Sequence, residues 1–212
     1  MITRKTYLSS FSFSFVSGVI NILGITLLGL VVTNVTGHYS SSIISSGTVT
    51  LKDILLTCSY IFMYWFGSFW ASSCFYYGKS TDKAYVKVLP ILLNLAILLY
   101  AVWSQHLIVW LLFLVSSTQN AFGANHSENQ IRASQITGVV MASGLDIAKY
   151  FFGDFSSTCK KDFLKAFAVK MLNITGFIVG GITAFFYSSI NILWLPIVFY
   201  SIVSILILKK KL

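Results

Sequence analysis

The sequence contains few charged residues. Only 10% of its 212 residues are Asp, Glu, Lys or Arg, whereas a soluble domain carries about 25%. It also contains only six acidic residues and two prolines. So little polar surface cannot cover the core of a soluble fold, because hydrophobic residues make up 56% of the chain. The composition therefore predicts an all-α integral membrane protein, with the lipid bilayer as its main partner.

Cysteines are also scarce, and their number and spacing argue against a disulfide framework and a zinc site. Cys58, Cys74 and Cys159 are an odd number and lack the spacing of zinc ligands. The three histidines are scattered, and no Gly-x-Ser-x-Gly elbow or pair of intramembrane aspartates occurs. We therefore expect no enzymatic activity, no metal site and no bound cofactor.

Hydrophobic stretches that reach or approach the length of a bilayer occur six times. They are Phe11–Val35, Ile54–Tyr77, Val88–Trp103, Leu107–Gly123, Phe163–Tyr187 and Ile190–Leu208. The first is too long for the apolar region of a cleaved signal peptide, so we expect it to be retained. Pro90 is predicted to lie in the first turn of the third span. Pro196 is predicted to kink the sixth.

The basic residues indicate which side of the membrane each loop occupies. If the N-terminus is cytoplasmic, thirteen of the fifteen Lys and Arg residues fall in cytoplasmic segments, so both termini are predicted to be cytoplasmic. This distribution explains the net charge of +9 without a nucleic-acid partner. Lys170 is the exception within a span: it either snorkels to the cytoplasmic surface or faces a substrate.

A similar pattern of polar residues occurs in both halves of the chain, about 8–104 and 105–208. Each half contains Asn-x-x-Gly, at Asn21 and at Asn120, followed after 15 or 17 residues by Thr-Gly. Because three spans per half is an odd number, the second half would enter the membrane from the opposite side. The pattern therefore predicts one polytopic domain, residues 1–212, made of two inverted three-helix halves, as in many transporters.

In such a transporter, polar residues near the two patterns would line a central cavity. The candidates are Asn21, Gly24, Thr36, Gly37, His38, Gln119, Asn120, Thr137, Gly138 and Asp146. The amides can instead form interhelical hydrogen bonds worth ~0.6–2 kcal/mol, and the Thr-Gly pairs can instead form capped turns. Asp146 belongs to Val139–Phe152, a short stretch that is either interfacial, re-entrant or packed within the protein.

These motifs resemble those of the YoaK-like family of uncharacterised bacterial membrane proteins. The matching residues are Gly18, Asn21, Gly24, Thr36-Gly37-His38, Gln119-Asn120, Thr137-Gly138 and Asp146. The chain differs from the family pattern at Asn21, where many members have an acidic residue, and at His38, where Asn is commoner. The resemblance implies a multi-span protein of the bacterial inner membrane, and it implies no particular activity.

Two functions from different classes fit these observations. The first is a permease for a small-molecule substrate of unknown identity, and the second is a non-transporting protein that acts in assembly or signalling. A central polar cavity would favour the permease. A solid core, with Asn21 and Asn120 bonded to neighbouring helices, would favour the second function. A homodimer is compatible with either.

Overall fold

The computed structural model describes residues 4–33, 37, 50–127, 131–153 and 155–209. Within these ranges the regular elements are helices, which confirms the predicted all-α class. The main helices are α1 (Arg4–Leu28), α2 (Leu51–Ser80), α3 (Ala84–Ser104), α4 (Val109–His126), α5 (Ile136–Phe152), α6 (Ser157–Phe186) and α7 (Trp194–Leu208). A 3₁₀ turn, Ile190–Leu193, precedes α7.

Five helical segments are long and apolar enough to cross a membrane. They are Lys5–Leu28, Leu51–Ser80, Ala84–Ser104, Cys159–Phe186 and Ile190–Leu208. The predicted fourth span forms α4, which is not among the five because its second half contains the polar run 116–120. Most of α4 is nevertheless buried among the other helices, so its polar residues face protein.

The end of the first span and the position of Pro90 differ from the sequence-based prediction. The first span ends at Leu28 rather than at residue 35, because Gly29 adopts a φ of +67° that terminates the helix. Pro90 lies inside α3 rather than in its first turn, because α3 already begins at Ala84. Pro196 lies inside the predicted sixth span, in the first turn of α7, and the change from the 3₁₀ turn to the α-helix falls two residues before it.

Local sequence signals define several other helix ends. Thr50 and Asp53 form a capping box at the start of α2: the Asp53 N–H donates to Thr50 Oγ1 (3.3 Å), and the Thr50 N–H donates to Asp53 Oδ2 (3.1 Å). Ser156 caps α6 by accepting a hydrogen bond from the Cys159 N–H (3.4 Å). Gln105, with a φ of 56°, terminates α3.

The most extensive helix–helix contacts join the two predicted halves of the chain. Helix α1 packs mainly against α6, and α2 packs mainly against α4. Helix α3 lies against α7 and α2, whereas α5 packs against α6. The first predicted span of each half therefore packs against the second predicted span of the other half.

The contact between α1 and α6 and the contact between α2 and α4 both depend on glycine. A Cβ at Gly176 or Gly180 of α6 would overlap the carbonyl oxygen of Phe11 or Phe15 on α1. A Cβ at Gly67 of α2 would overlap the Ser117 hydroxyl of α4 and lie 2.8 Å from the Leu114 carbonyl oxygen. Small residues allow the backbones to approach this closely, which is a common way for helices to associate in lipid.

We predict that Gly180→Ala destabilises the protein by about 1–3 kcal/mol, the usual effect of overpacking, because α1 would have to move away from α6. Gly144→Ala is the matched control, since a Cβ at this helical glycine has no neighbour within 4 Å. Thermal unfolding of the purified protein in detergent measures both effects. Equal melting temperatures for the two variants would contradict the importance of this contact.

Candidate functional site

The chain reverses direction after α1, and Asn21 binds the returning segment. Beyond Gly29, the chain runs back along the last turns of the helix. Val32 packs against Gly24, where a Cβ would lie 3.0 Å from the Val32 side chain. Thr33 Oγ1 then donates a hydrogen bond to Asn21 Oδ1 (2.7 Å), and both residues are buried. Asn21 and Gly24 therefore stabilise a chain reversal within a closely packed part of the protein.

A second reversal follows α4, and Asn120 binds it in the same manner. Ile131 packs against Gly123, where a Cβ would lie 3.2 Å from the Ile131 side chain. The Ser134 N–H donates to Asn120 Oδ1 (2.9 Å), and Asn120 Nδ2 donates to Ser134 Oγ. The same Nδ2 also donates to the Tyr64 hydroxyl (2.8 Å) on α2. Asn120 therefore joins α4, the returning segment and α2.

The hydroxyl residues bound by the two asparagines occupy matching positions. Thr33 lies 12 residues after Asn21, and Ser134 lies 14 residues after Asn120. Each precedes a Thr-Gly pair by three residues. Thr36 and His38 lie outside the described residues, and Gly37 is half-buried.

The second Thr-Gly pair does not form the capped turn that its sequence suggests. Thr137 and Gly138 lie in the first turn of α5, and the residue at the N-cap position is Gln135. Gly138 has ordinary helical backbone, and Thr137 is exposed to solvent or lipid. This pair therefore marks the start of α5, immediately beyond the second reversal.

Gln119 belongs to the packed centre of the protein. Its side chain is fully buried. Its Nε2 donates to the Phe13 carbonyl oxygen and to Ser17 Oγ (3.1 Å), both on α1. Its Oε1 accepts a hydrogen bond from the Tyr200 hydroxyl on α7. One amide thus satisfies its polar atoms by joining α1, α4 and α7.

A polar cavity of about 320 Å³ lies beside the second reversal, between α2, α4 and the segment that leads into α5. Asn120 is the candidate residue that lines it. The other lining residues are Tyr64, Ser68, Ala121, Ala124, Arg132 and Gln135. Arg132 and Gln135 are exposed at its rim, whereas Tyr64 and Ser68 are half-buried. Asn21, Gly24, Gln119 and Asp146 are not among the residues that line this cavity.

Asp146 forms an ion pair with Lys170. The Lys170 ammonium donates to Asp146 Oδ2, and the side chains are only 16% (Lys170) and 12% (Asp146) exposed. This pair joins α5 to α6. The sequence suggested that Lys170 either snorkels to the surface or faces a substrate. The structure instead pairs it with Asp146.

Sequence reasoning did not identify four of the polar residues in the cavity. Tyr64 and Ser68 are four residues apart on α2, so they lie on the same face of the helix. This spacing is the sequence signal that could have identified a polar face on α2. It is hard to recognise because many aromatic residues surround the two positions. Arg132 contributed only to the topology prediction, and Gln135 lies in a loop whose path depends on the Asn120 contacts.

We predict that Asn120→Ala is more destabilising than Asn21→Ala. The first substitution leaves the buried Ser134 N–H unpaired, at a cost of about 1–3 kcal/mol, whereas the second removes only the acceptor of a hydroxyl group. Melting temperatures in detergent measure the difference, with the exposed Asn191→Ala as a control. An Asn120→Ala variant as stable as the Asn191→Ala control would contradict the assigned role.

For the ion pair, we expect Lys170→Met alone to destabilise the protein by about 3 kcal/mol, because it leaves the buried Asp146 carboxylate without its partner. The double variant Asp146→Leu/Lys170→Met should recover most of this loss. Lys165→Met is the control, since Lys165 and Asp162 form an exposed pair at 3.3 Å. The single variant Asp146→Leu is measured as well, and a double variant whose loss equals the sum of the Asp146→Leu and Lys170→Met losses would rule out coupling between the two residues.

Comparison with known proteins gives a family. No curated protein and no solved structure matches the chain. A family model described as "Protein of unknown function (DUF1275)" matches residues 10–206, which is nearly the whole chain and includes both reversals and the cavity. The chain therefore belongs to the DUF1275 family of proteins of unknown function.

Proposed function

We propose that the protein is a small-molecule permease and that the cavity beside Asn120 is its binding site. The observation that carries this proposal is a polar cavity of about 320 Å³ in a chain whose helices are otherwise mostly apolar. This volume lies at the lower end of the range for small-molecule sites, about 300–1,000 Å³. In a membrane protein, polar side chains around a cavity are expensive unless water or a ligand contacts them. We assign no catalytic step or cofactor to this site.

The matching contacts of the two halves support an inverted repeat. Phe15 and Leu114 each lie six residues before the asparagine of their half, and the backbone of each meets a glycine, Gly180 or Gly67. The two asparagines then bind equivalent returning segments. Inverted halves provide two related conformations, which is how many carriers expose one site to each side of the membrane in turn.

The charge distribution supports an orientation for this carrier. With the N-terminus and C-terminus in the cytoplasm, the segment that includes Arg132 is also cytoplasmic, and thirteen of the fifteen basic residues lie on that side. The exposed rim of the cavity, formed by Arg132 and Gln135, would then open towards the cytoplasm. The YoaK-like resemblance further supports the bacterial inner membrane as the location.

The alternative is a non-transporting membrane protein that acts through its helix surfaces, and a specific feature favours it. Phe62, Trp65 and Phe69 form an aromatic row on α2, in which Trp65 stacks on Phe69, and each is more than half exposed. Such a surface can face lipid, a second copy of the chain or another membrane protein. The close packing around Asn21 also fits this alternative. The Asn21 amide is bonded to the buried Thr33 and therefore does not line a cavity in the first half of the protein.

Cysteine accessibility distinguishes the two functions. Cys58, Cys74 and Cys159 are first replaced, and single cysteines are then introduced at Ser68 or Gln135, which line the cavity. An impermeant thiol reagent is added to right-side-out or inside-out vesicles. For a permease, we expect position 68 to react from the cytoplasmic side and also, more slowly, from the outside, because the cavity opens to each side in turn.

Two control positions make this result interpretable. A cysteine at Asn21 should stay unreactive from both sides because the site is closely packed, and one at the exposed Ile61 should stay unreactive because it faces lipid. Reaction of position 68 from one side only, whatever the conditions, would exclude alternating access and favour the non-transporting function. Reaction at Asn21 from either side would show that the first reversal is also water-filled.

A further inference from the structure

The wall of the cavity provides hydrogen-bond donors. Asn120 Nδ2 donates to the Tyr64 hydroxyl oxygen at 2.8 Å, so the phenolic proton is directed away from Asn120 and can be donated to an occupant. Arg132 provides the five N–H donors of its guanidinium group, and Gln135 provides an amide group. Asn120 itself is fully used in holding Tyr64 and Ser134, so it shapes the wall and positions Tyr64.

The start of α5 adds to this donor-rich environment. Helix α5 begins at Ile136, directly after Gln135, and the Gln135 side chain does not cap it. The first N–H groups of a helix have no partner within the helix, and they form the positive end of its dipole. The N-terminus of α5 therefore adds partial positive charge beside a cavity that already contains Arg132.

No negative charge offsets these groups within the described lining of the cavity. Among the described residues that form its wall, Arg132 is the only charged one, and none is Asp or Glu. A cation in this cavity would meet Arg132 without a compensating carboxylate from those residues, whereas an anion would meet charge-assisted donors. The predicted excess of basic residues on the cytoplasmic side would also raise the local concentration of anions near the opening.

We propose that this cavity binds a small oxyanion, a carboxylate or a sulfate- or phosphate-like group, with Arg132 as its charged ligand and Tyr64 as a neutral donor. The inference deepens the proposed function, because the anion would be the transported substrate. The binding itself does not depend on transport. The volume of about 320 Å³ suits an inorganic oxyanion or a short organic acid.

The test measures thermal stabilisation of the full chain in a neutral detergent. The probes are inorganic phosphate, sulfate and a four-carbon dicarboxylate, each compared with chloride at equal ionic strength. We expect at least one oxyanion to raise the melting temperature of the wild-type protein in a saturable manner. No saturable stabilisation by any of the three, up to tens of millimolar, would overturn the proposal.

Variants then locate the binding site. Arg132→Gln should weaken binding by about ten-fold or more, because it removes the charged, two-pronged donor. Arg132→Lys should keep part of the affinity, and Tyr64→Phe should weaken binding several-fold while leaving the ring in place. Lys79→Gln removes one exposed positive charge from the end of α2 and should change nothing. Equal losses in Arg132→Gln and Lys79→Gln would overturn the assignment of this cavity.

A membrane comparison identifies the source of the oxyanion. The same melting measurement is made in nanodiscs of neutral lipid, with and without an anionic phospholipid. Stabilisation that depends on Arg132 and on free oxyanions supports a soluble substrate. Stabilisation that depends on Arg132 and only on the anionic lipid overturns the proposed soluble substrate and assigns the site to a lipid headgroup.

The result is separable from the permease test. If an oxyanion binds at Arg132 but position 68 reacts from one side only, the binding site stands and transport is excluded. If position 68 reacts from both sides but none of the three probes binds, the permease stands and its substrate is not a small oxyanion.

Discussion

Polar groups that are buried in a protein must find hydrogen-bond partners there, and this constraint governs the two places where the chain leaves a helix and folds back. At each one an asparagine accepts the hydrogen bond that the returning segment brings. The Thr33 hydroxyl donates to Asn21 Oδ1 and the Ser134 N–H donates to Asn120 Oδ1, while the Ser134 hydroxyl accepts a hydrogen bond from Asn120 Nδ2. A glycine one turn later leaves room for the aliphatic side chain that follows. Without these contacts the segments would carry unpaired polar groups in an apolar environment.

The same constraint explains why the polar run of α4 is buried among other helices. Helix α4 contains Ser116 to Asn120 in succession, a run that would be costly beside lipid chains. Gln119 is bonded to α1 and α7, while Thr118 and Asn120 reach α2. The polar side chains that lower the hydropathy of α4 thus form the hydrogen bonds that join it to the surrounding helices. The cavity lies where this set of contacts leaves space, beside the reversal whose asparagine also reaches Tyr64.

Sequence patterns were sufficient to predict the helical class and the approximate positions of most of the spans. They were insufficient to predict the hydrogen-bond partners of the polar side chains, because bonds such as that between Asn120 and Tyr64 join residues more than fifty positions apart. The end of α1 was misplaced because Leu28 to Val32 carries no polar side chain, so its composition resembles a continued span, while the positive φ of Gly29 is a backbone conformation that composition does not reveal. Pro90 was misplaced because the polar first turn of α3, from Ala84, does not resemble a membrane span. The sequence shows that Arg132 is charged, but only the folded chain shows that it lines a cavity together with residues of α2 and α4.

The pairing of α1 with α6 has a consequence for how the protein is made. Helix α1 has its most extensive contacts with a helix that begins at Ser157, and α2, which follows it in the chain, is not an extensive partner among the described residues. During synthesis, α1 therefore enters the membrane long before its glycine-bearing partner leaves the ribosome. Until then its Phe11 and Phe15 backbone is free to meet the same glycines of a neighbouring chain. Crowded nascent chains could thus exchange their first helices, so the order of insertion bears on whether monomers or interlocked pairs accumulate.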